Sequence, residues 1–252
     1  MSFTSDVSNQ ILVFYPVLAL NSGAFGYKSD HIHCPHCFLP YRHNLDLSSA
    51  HMTQKERTND VRIETALGAN HTLVAYNFYA HDGAETNLRF FLDHGLYHSP
   101  NTHFLLVLSS APQLQLPTAP NLHVLWLTED CYGFGALKAA IEMLSLAEKF
   151  EKFVLTGTWS RGPFLPLWSR LCWTTAFLRP LDDKIHLVGT SFGCVGPDYS
   201  IQPHLRPISF GVSKEALPAA LSSFSCPITG ALEFAQPQTL IFENVKRAGL
   251  GV

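Results

Sequence analysis

A chain of 252 residues, 46% hydrophobic and only 15% charged, can bury a sizeable core and must leave some apolar surface exposed, which points to a protein or membrane-surface partner. A formal charge of −3 without any run of Lys or Arg removes the electrostatic footprint that phosphate-backbone binding requires, so nucleic acid is excluded as a partner. The one membrane-like stretch, Ile11 to Leu20, is broken by Pro16 and is ten residues long, where a spanning helix needs about 20, so no transmembrane span is expected.

Ala19, Ser22 and Ala24 would suit a signal-peptide cleavage site, but the residues before Ile11 carry Asp6 and no Lys or Arg. Six cysteines (Cys34, Cys37, Cys131, Cys172, Cys194 and Cys226) are too sparse to describe a disulfide framework. The compartment stays open between the secretory pathway, such as the Golgi lumen, and the cytoplasm. Asn70-His71-Thr72 is a glycosylation acceptor if the chain is secreted.

Residues 1–70 show no sustained periodicity and read as an irregular N-terminal segment, with an α/β domain expected over 71–252. Thr72 to Phe78 is an apolar run of strand formers, the first strand. Asp82 is placed to cap a helix from about Ala84, with Leu88, Phe91 and Leu92 on one face and Gly95 as its stop. His103 to Ser109 and His123 to Leu127 are two more buried strands, separated by a loop rich in proline. Phe134 to Phe150 puts Leu137, Ala140, Ile141, Leu144 and Ala147 on one face of a helix. A strand over Phe153 to Thr156, a helix over Leu167 to Leu178, a strand over Ile185 to Thr190 and a helix begun by Ser213 follow, with a terminal helix over Gln238 to Ala248.

Strands alternating with helices imply a mostly parallel sheet with helices on both faces. Ligands in such folds sit outside the carboxyl ends of the strands, so four loops hold the chemistry: Asn77 to Glu85, Thr128 to Gly135, Gly157 to Pro166 and Ser191 to His204.

Two motifs invite function and carry less of it than their spelling suggests. Cys34-Pro35-His36-Cys37 has redox spacing, but Pro40 forbids the helix that would activate a thiol. His31, His33 and His43 would complete a zinc site around those two thiolates, yet a regular second half-motif is missing, and a polar Cys/His-rich loop is the preferred reading. Gly189-Thr190-Ser191-Phe192-Gly193 matches the nucleophile elbow of serine hydrolases. Gly196, Pro197 and Pro203 then exclude the helix that must follow it, and His204 and Asp198 are the only triad partners downstream, so a glycine-rich turn is preferred.

The segments LVAYNFYAHDGAETNLRFFLDHGL, NLHVLWLTEDCYGFGALKAAIEML, EKFVLTGTWSRGPFLPLW and CWTTAFLRPLDDKIHLVGTSFGC resemble successive blocks of a eukaryotic glycosyltransferase-like family, itself similar to bacterial rhamnan-synthesis F proteins. The resemblance runs in family order over about residues 72–225. It implies a Rossmann-like (GT-A-like) fold that transfers a sugar from a nucleotide-sugar donor to a glycan or other acceptor. It also implies acidic side chains holding Mn²⁺ or Mg²⁺ across the donor diphosphate.

Where that family shows Cys-Phe-Asp-Phe-Gly-Ala, this chain has Cys131-Tyr132-Gly133-Phe134-Gly135-Ala136, a glycine in place of the carboxylate. Thr156-Gly157-Thr158-Trp159 is likewise neutral where the family carries Asn with Asp or Ser. Glu129 and Asp130 stand just before the first departure and are the candidate metal ligands, against a solvated helix cap as the plainer reading. The resemblance makes Asn77, Glu129, Phe134, Gly135, Lys138, Arg161 and Gly162 donor-binding candidates, with Lys138 and Arg161 supplying charge to a diphosphate at the helix N-terminus. Arg161 is equally suited to pairing with Asp182 or Asp183. His204, in a loop where the family carries histidine, and Asp130 are the catalytic candidates. Two functions follow, an active glycosyltransferase or a catalytically silent binding or interaction module on the same fold.

Overall fold

The computed structural model describes residues 12–14, 71–127, 130–165, 169–193, 204–205, 208–226 and 240–252. Its centre is a six-stranded sheet in the order β4-β3-β2-β5-β10-β7. The strands are β2 (Thr72–Phe78), β3 (Thr102–Leu108), β4 (Leu122–Trp126), β5 (Lys152–Gly157), β7 (Leu187–Gly189) and β10 (Ser209–Ser213). β4, β3, β2 and β5 pair in parallel. β10 runs antiparallel to both of its neighbours, so β7 points the same way as the first four.

Both faces of the sheet are covered, which is why its strands read as continuous apolar runs. Alternate residues serve opposite cores. Leu73 and Ala75 of β2 join Leu105, Val107, Phe153 and Leu155 on one face. Against them pack Leu137, Ala140 and Ile141 of α2 (Gly133–Met143), Leu217 and Leu221 of α4 (Leu217–Leu221), and Ile241 and Val245 of a helix over 240–247. Val74, Tyr76, Phe78, Phe104, Leu106 and Leu108 face the other way, onto Leu88, Phe91 and Leu92 of α1 (Ala84–His94) and Trp173 and Phe177 of α3 (Trp173–Leu178). Each fully buried large side chain contributes about 1.5–3 kcal/mol relative to exposure, so the two layers hold the sheet jointly.

Several elements differ from their sequence expectation. Asp82 does not cap α1; Gly83 takes the N-cap position at φ 85°, with no side-chain cap bond. Gly95 ends α1 in an ordinary right-handed conformation, and glycine is needed there for space: a Cβ would lie 2.8 Å from the Phe91 carbonyl oxygen and 2.9 Å from Pro163 Cδ. α2 stops at Met143, followed by a separate 3₁₀ turn at Leu146–Glu148, and α3 covers only the end of the helix expected from Leu167. Ser213 closes β10 instead of opening a helix, and α4 starts four residues later, at Leu217.

Two peripheral pairs complete the described strands. β1 (Leu12–Phe14) pairs in parallel with β6 (Arg161–Phe164), so the N-terminal segment read as irregular supplies one short strand. β8 (Phe192–Gly193) pairs antiparallel with β9 (His204–Leu205). The strand β8 stands where a serine hydrolase would need a helix, which removes the nucleophile-elbow geometry. Asn70 and the Cys34-to-Cys37 motif with His31, His33 and His43 lie outside the described residues.

At the amino ends of the strands, His71, His103 and His123 stand in a row on one face. His103 Nδ1 and His123 Nε2 are 3.2 Å apart, a contact that is a hydrogen bond only while one of the rings is neutral. His71 stacks at 6.1 Å on His103, whose other side meets Phe150. Burial lowers the pKa of both rings, with His103 acting on His123, which falls to about 4. The unfolded chain therefore takes up protons below about pH 6.5 that the folded chain refuses, and stability is lost from there down to about pH 4. Between pH 7 and pH 5 the pair should cost on the order of 1 kcal/mol, after discounting for partial exposure. Urea unfolding at both pH values tests this: the fall should be smaller in His123→Gln, and an equal fall in both proteins would refute the assignment.

Candidate functional site

The chain leaves β2 toward β3 and β4 on one side, while β5 flanks β2 on the other, so the reversal point at which such sheets form a ligand crevice lies outside the carboxyl ends of β2 and β5. Three segments form its mouth: residues 79–83 after β2, residues 130–132 before α2, and residues 158–160 after β5.

Asn77, 1% exposed near the end of β2, holds these segments together. Its Nδ2 donates to the Val107 carbonyl at 2.9 Å and to Ser109 Oγ at 3.0 Å, and its Oδ1 accepts the Gly133 N–H at 2.6 Å. Ser109 Oγ in turn donates to the Cys131 carbonyl at 2.5 Å. One amide thus joins β2 and β3 to the first residue of α2. Gly133 accepts this geometry at φ 63°, a left-handed value costly to most side chains. The main chain of Asn77 is engaged too, its carbonyl accepting the Thr158 N–H at 3.1 Å.

The start of α2 is also clamped from outside. Cys131 and Cys226 form a disulfide, with Cα atoms 5.1 Å apart, and Cys172 is disulfide-bonded as well. The expectation that the cysteines form no such framework is corrected: sparse spacing hid pairs that tertiary structure brings together. The disulfide draws the backbone of Ser225 so close that a Cβ at Gly135 would lie 2.4 Å from its carbonyl oxygen. Gly135 is therefore a packing glycine, with no room beside it for a donor.

The remaining candidates scatter. Phe134 is buried between Phe210 and Phe224, at centroid distances of 5.1 and 5.4 Å. Lys138 Nζ donates to the Phe224 carbonyl at 2.9 Å and stands 4.0 Å from Glu142. Arg161 lies over the Phe90 ring at 5.4 Å, on the α1 side, and Gly162 follows it in β6. Asp182 instead accepts the N–H groups of Lys184 and Ile185, which with nearby charges hold its carboxyl below the usual range. Asp130 is exposed at the crevice mouth. Glu129 and the side chain of His204 lie outside the described residues. The pairing of β9 with β8 sets His204 opposite Gly193, but gives no role to its imidazole.

Among the described residues no three of His, Cys, Asp and Glu lie together in a way that could hold a metal ion.

What the crevice does hold is aromatic. The rings of His81 and Trp159 stack at 4.0 Å and 17°. Tyr79 lies 4.9 Å from Tyr132 and 6.0 Å from Trp159, edge-on to the indole. Burial pushes the Tyr79 phenol up. His81 Nδ1 lies 2.8 Å from the Asp82 carbonyl, which can only accept, so the proton sits on Nδ1 and the neutral ring keeps its lone pair on Nε2. That Nε2 and Thr158 Oγ1 are buried without a partner among the described residues. Beside them Thr156, Ser160 and Ser209 bond hydroxyl to hydroxyl, at 2.7 and 2.5 Å from Thr156 Oγ1. None of the four aromatic residues stands out in the sequence, because nothing in the string separates a core Trp from an exposed one.

Asn77→Ala should cost roughly 2–4 kcal/mol, since it leaves the Gly133 N–H and the Val107 carbonyl without their partner in a buried place. Urea unfolding measures it, and a loss below about 1 kcal/mol would show that the amide does not hold the crevice together.

No protein-family model matches this chain, and no curated protein matches it.

Proposed function

We propose that this chain is a glycosyltransferase-like scaffold that binds a sugar-containing ligand at the crevice between β2 and β5 without forming a working metal–diphosphate centre. It is a binding module instead of an active transferase. The observation that carries this reading is the engagement of the groups a donor diphosphate would use: Lys138 on the Phe224 carbonyl, Arg161 over Phe90, and the whole amide of Asn77 within the fold. A diphosphate left without cations in a partly desolvated crevice is strongly disfavoured.

The strand order supports the scaffold half of the reading. Counted along the sheet strands alone, the order is 3-2-1-4-6-5, which shares its first four places with the doubly wound order 3-2-1-4-5-6 and departs from it through the antiparallel β10. A Rossmann-like ancestry of the GT-A kind accounts for the crevice at the reversal point. It also accounts for α2 opening onto that crevice, and for the neutral Gly133 where the family carries Asp.

Titration calorimetry with uridine diphosphate, with and without Mn²⁺, tests the proposal. The expected result is no gain in affinity from the metal. A gain of about tenfold or more would establish a metal–diphosphate site and restore the transferase reading.

A further inference from the structure

We infer that Trp159 is a preformed platform for the apolar face of a pyranose ring, and that the crevice therefore takes a neutral glycan. This deepens the reading of the crevice as a sugar-binding site and rests on it.

Among the described residues Trp159 is one of four large apolar side chains left exposed, at 53%, and the one aromatic ring among them. It is also held. His81 stacks on the indole at 4.0 Å and 17°, and Tyr79 meets it edge-on at 6.0 Å. His81 is itself fixed by its bond to the Asp82 carbonyl, and Tyr79 by Tyr132 at 4.9 Å. An indole stacked on one side and flanked at its edge has little rotamer freedom left to lose when a ligand lands on what remains exposed, and this preorganisation favours binding.

Charge selects the ligand class. No Lys or Arg belongs to segments 79–83, 130–132 or 158–160, and the nearest candidates in sequence, Arg161 and Lys138, are engaged elsewhere. Asp82 and Asp130 in those segments are exposed. Phosphates and acidic sugars are repelled by that pattern. A neutral sugar is not repelled by it, and its polarised C–H bonds suit the negative face of an aromatic ring. A bare nucleobase would use the same ring face, and the uridine titration below separates it from a sugar.

The test uses the full chain and neutral hexasaccharides of glucose, xylose, mannose and N-acetylglucosamine, followed by calorimetry and by acrylamide quenching of tryptophan emission. At least one sugar should bind and shield an indole from quenching. Trp159→Ala should weaken that binding about tenfold or more, Trp159→Tyr should retain part of it, and His81→Ala should weaken it less than Trp159→Ala. Thermal melts of the variants should match the parent, because the replaced ring is half outside the fold. Equal binding by Trp159→Ala and the parent overturns the inference, as does binding of uridine with none of the four sugars. Failure to bind any sugar also overturns it, while leaving the separate Mn²⁺–diphosphate titration to decide between module and transferase.

Discussion

A single buried amide sets the geometry on which the rest of the crevice depends. Asn77 reaches Val107 and Ser109, 30 and 32 residues away, and Gly133, 56 residues away, so the ends of β2 and β3 and the start of α2 cannot move independently. Buried polar groups of this kind are costly unless every bond is made, and here both N–H groups and the carbonyl oxygen have partners. The same completeness explains why Asn77 has nothing to offer a ligand. A residue expected to bind a donor from its place at the end of a strand is the one that fixes the strands.

The core of the fold was legible because its physics is local. Thr72–Phe78 and Thr102–Leu108 are unbroken apolar runs, as strands covered on both faces must be, and Leu137, Ala140 and Ile141 recur at helical spacing. β10 escaped notice because Ser209-Phe210-Gly211-Val212-Ser213 carries only two large apolar residues. Gly211 sits there for lack of space, since a Cβ would come within 2.5 Å of Leu178 Cδ2. That crowding is a property of α3 packed across the sheet, and no local pattern announces it.

The site was legible in outline and not in content. The expected loops after β2, β4 and β5 do follow the carboxyl ends of those strands, and Asn77 and Asp130 stand at that end of the sheet. Phe134, Lys138 and Arg161 were drawn toward it by their neighbours in sequence, but a helix turns its residues outward in all directions. Phe134 and Lys138 fall on the side that meets Phe224, and Arg161 pairs with α1 across the strand β6. The aromatic cluster was invisible for the opposite reason: Tyr79, Tyr132 and Trp159 come from three separate connections and share nothing until the sheet is assembled.

The place of β10 between β5 and β7 has a consequence for synthesis on the ribosome. Among the described strands β7 is hydrogen-bonded within the sheet only to β10, whose residues emerge 20 or more positions later. The four parallel strands can assemble while the chain is still growing, since each already has its neighbour. Leu187–Gly189, by contrast, must wait for its described partner until Ser209–Ser213 has left the exit tunnel, and during that interval its open edges are exposed to mispairing.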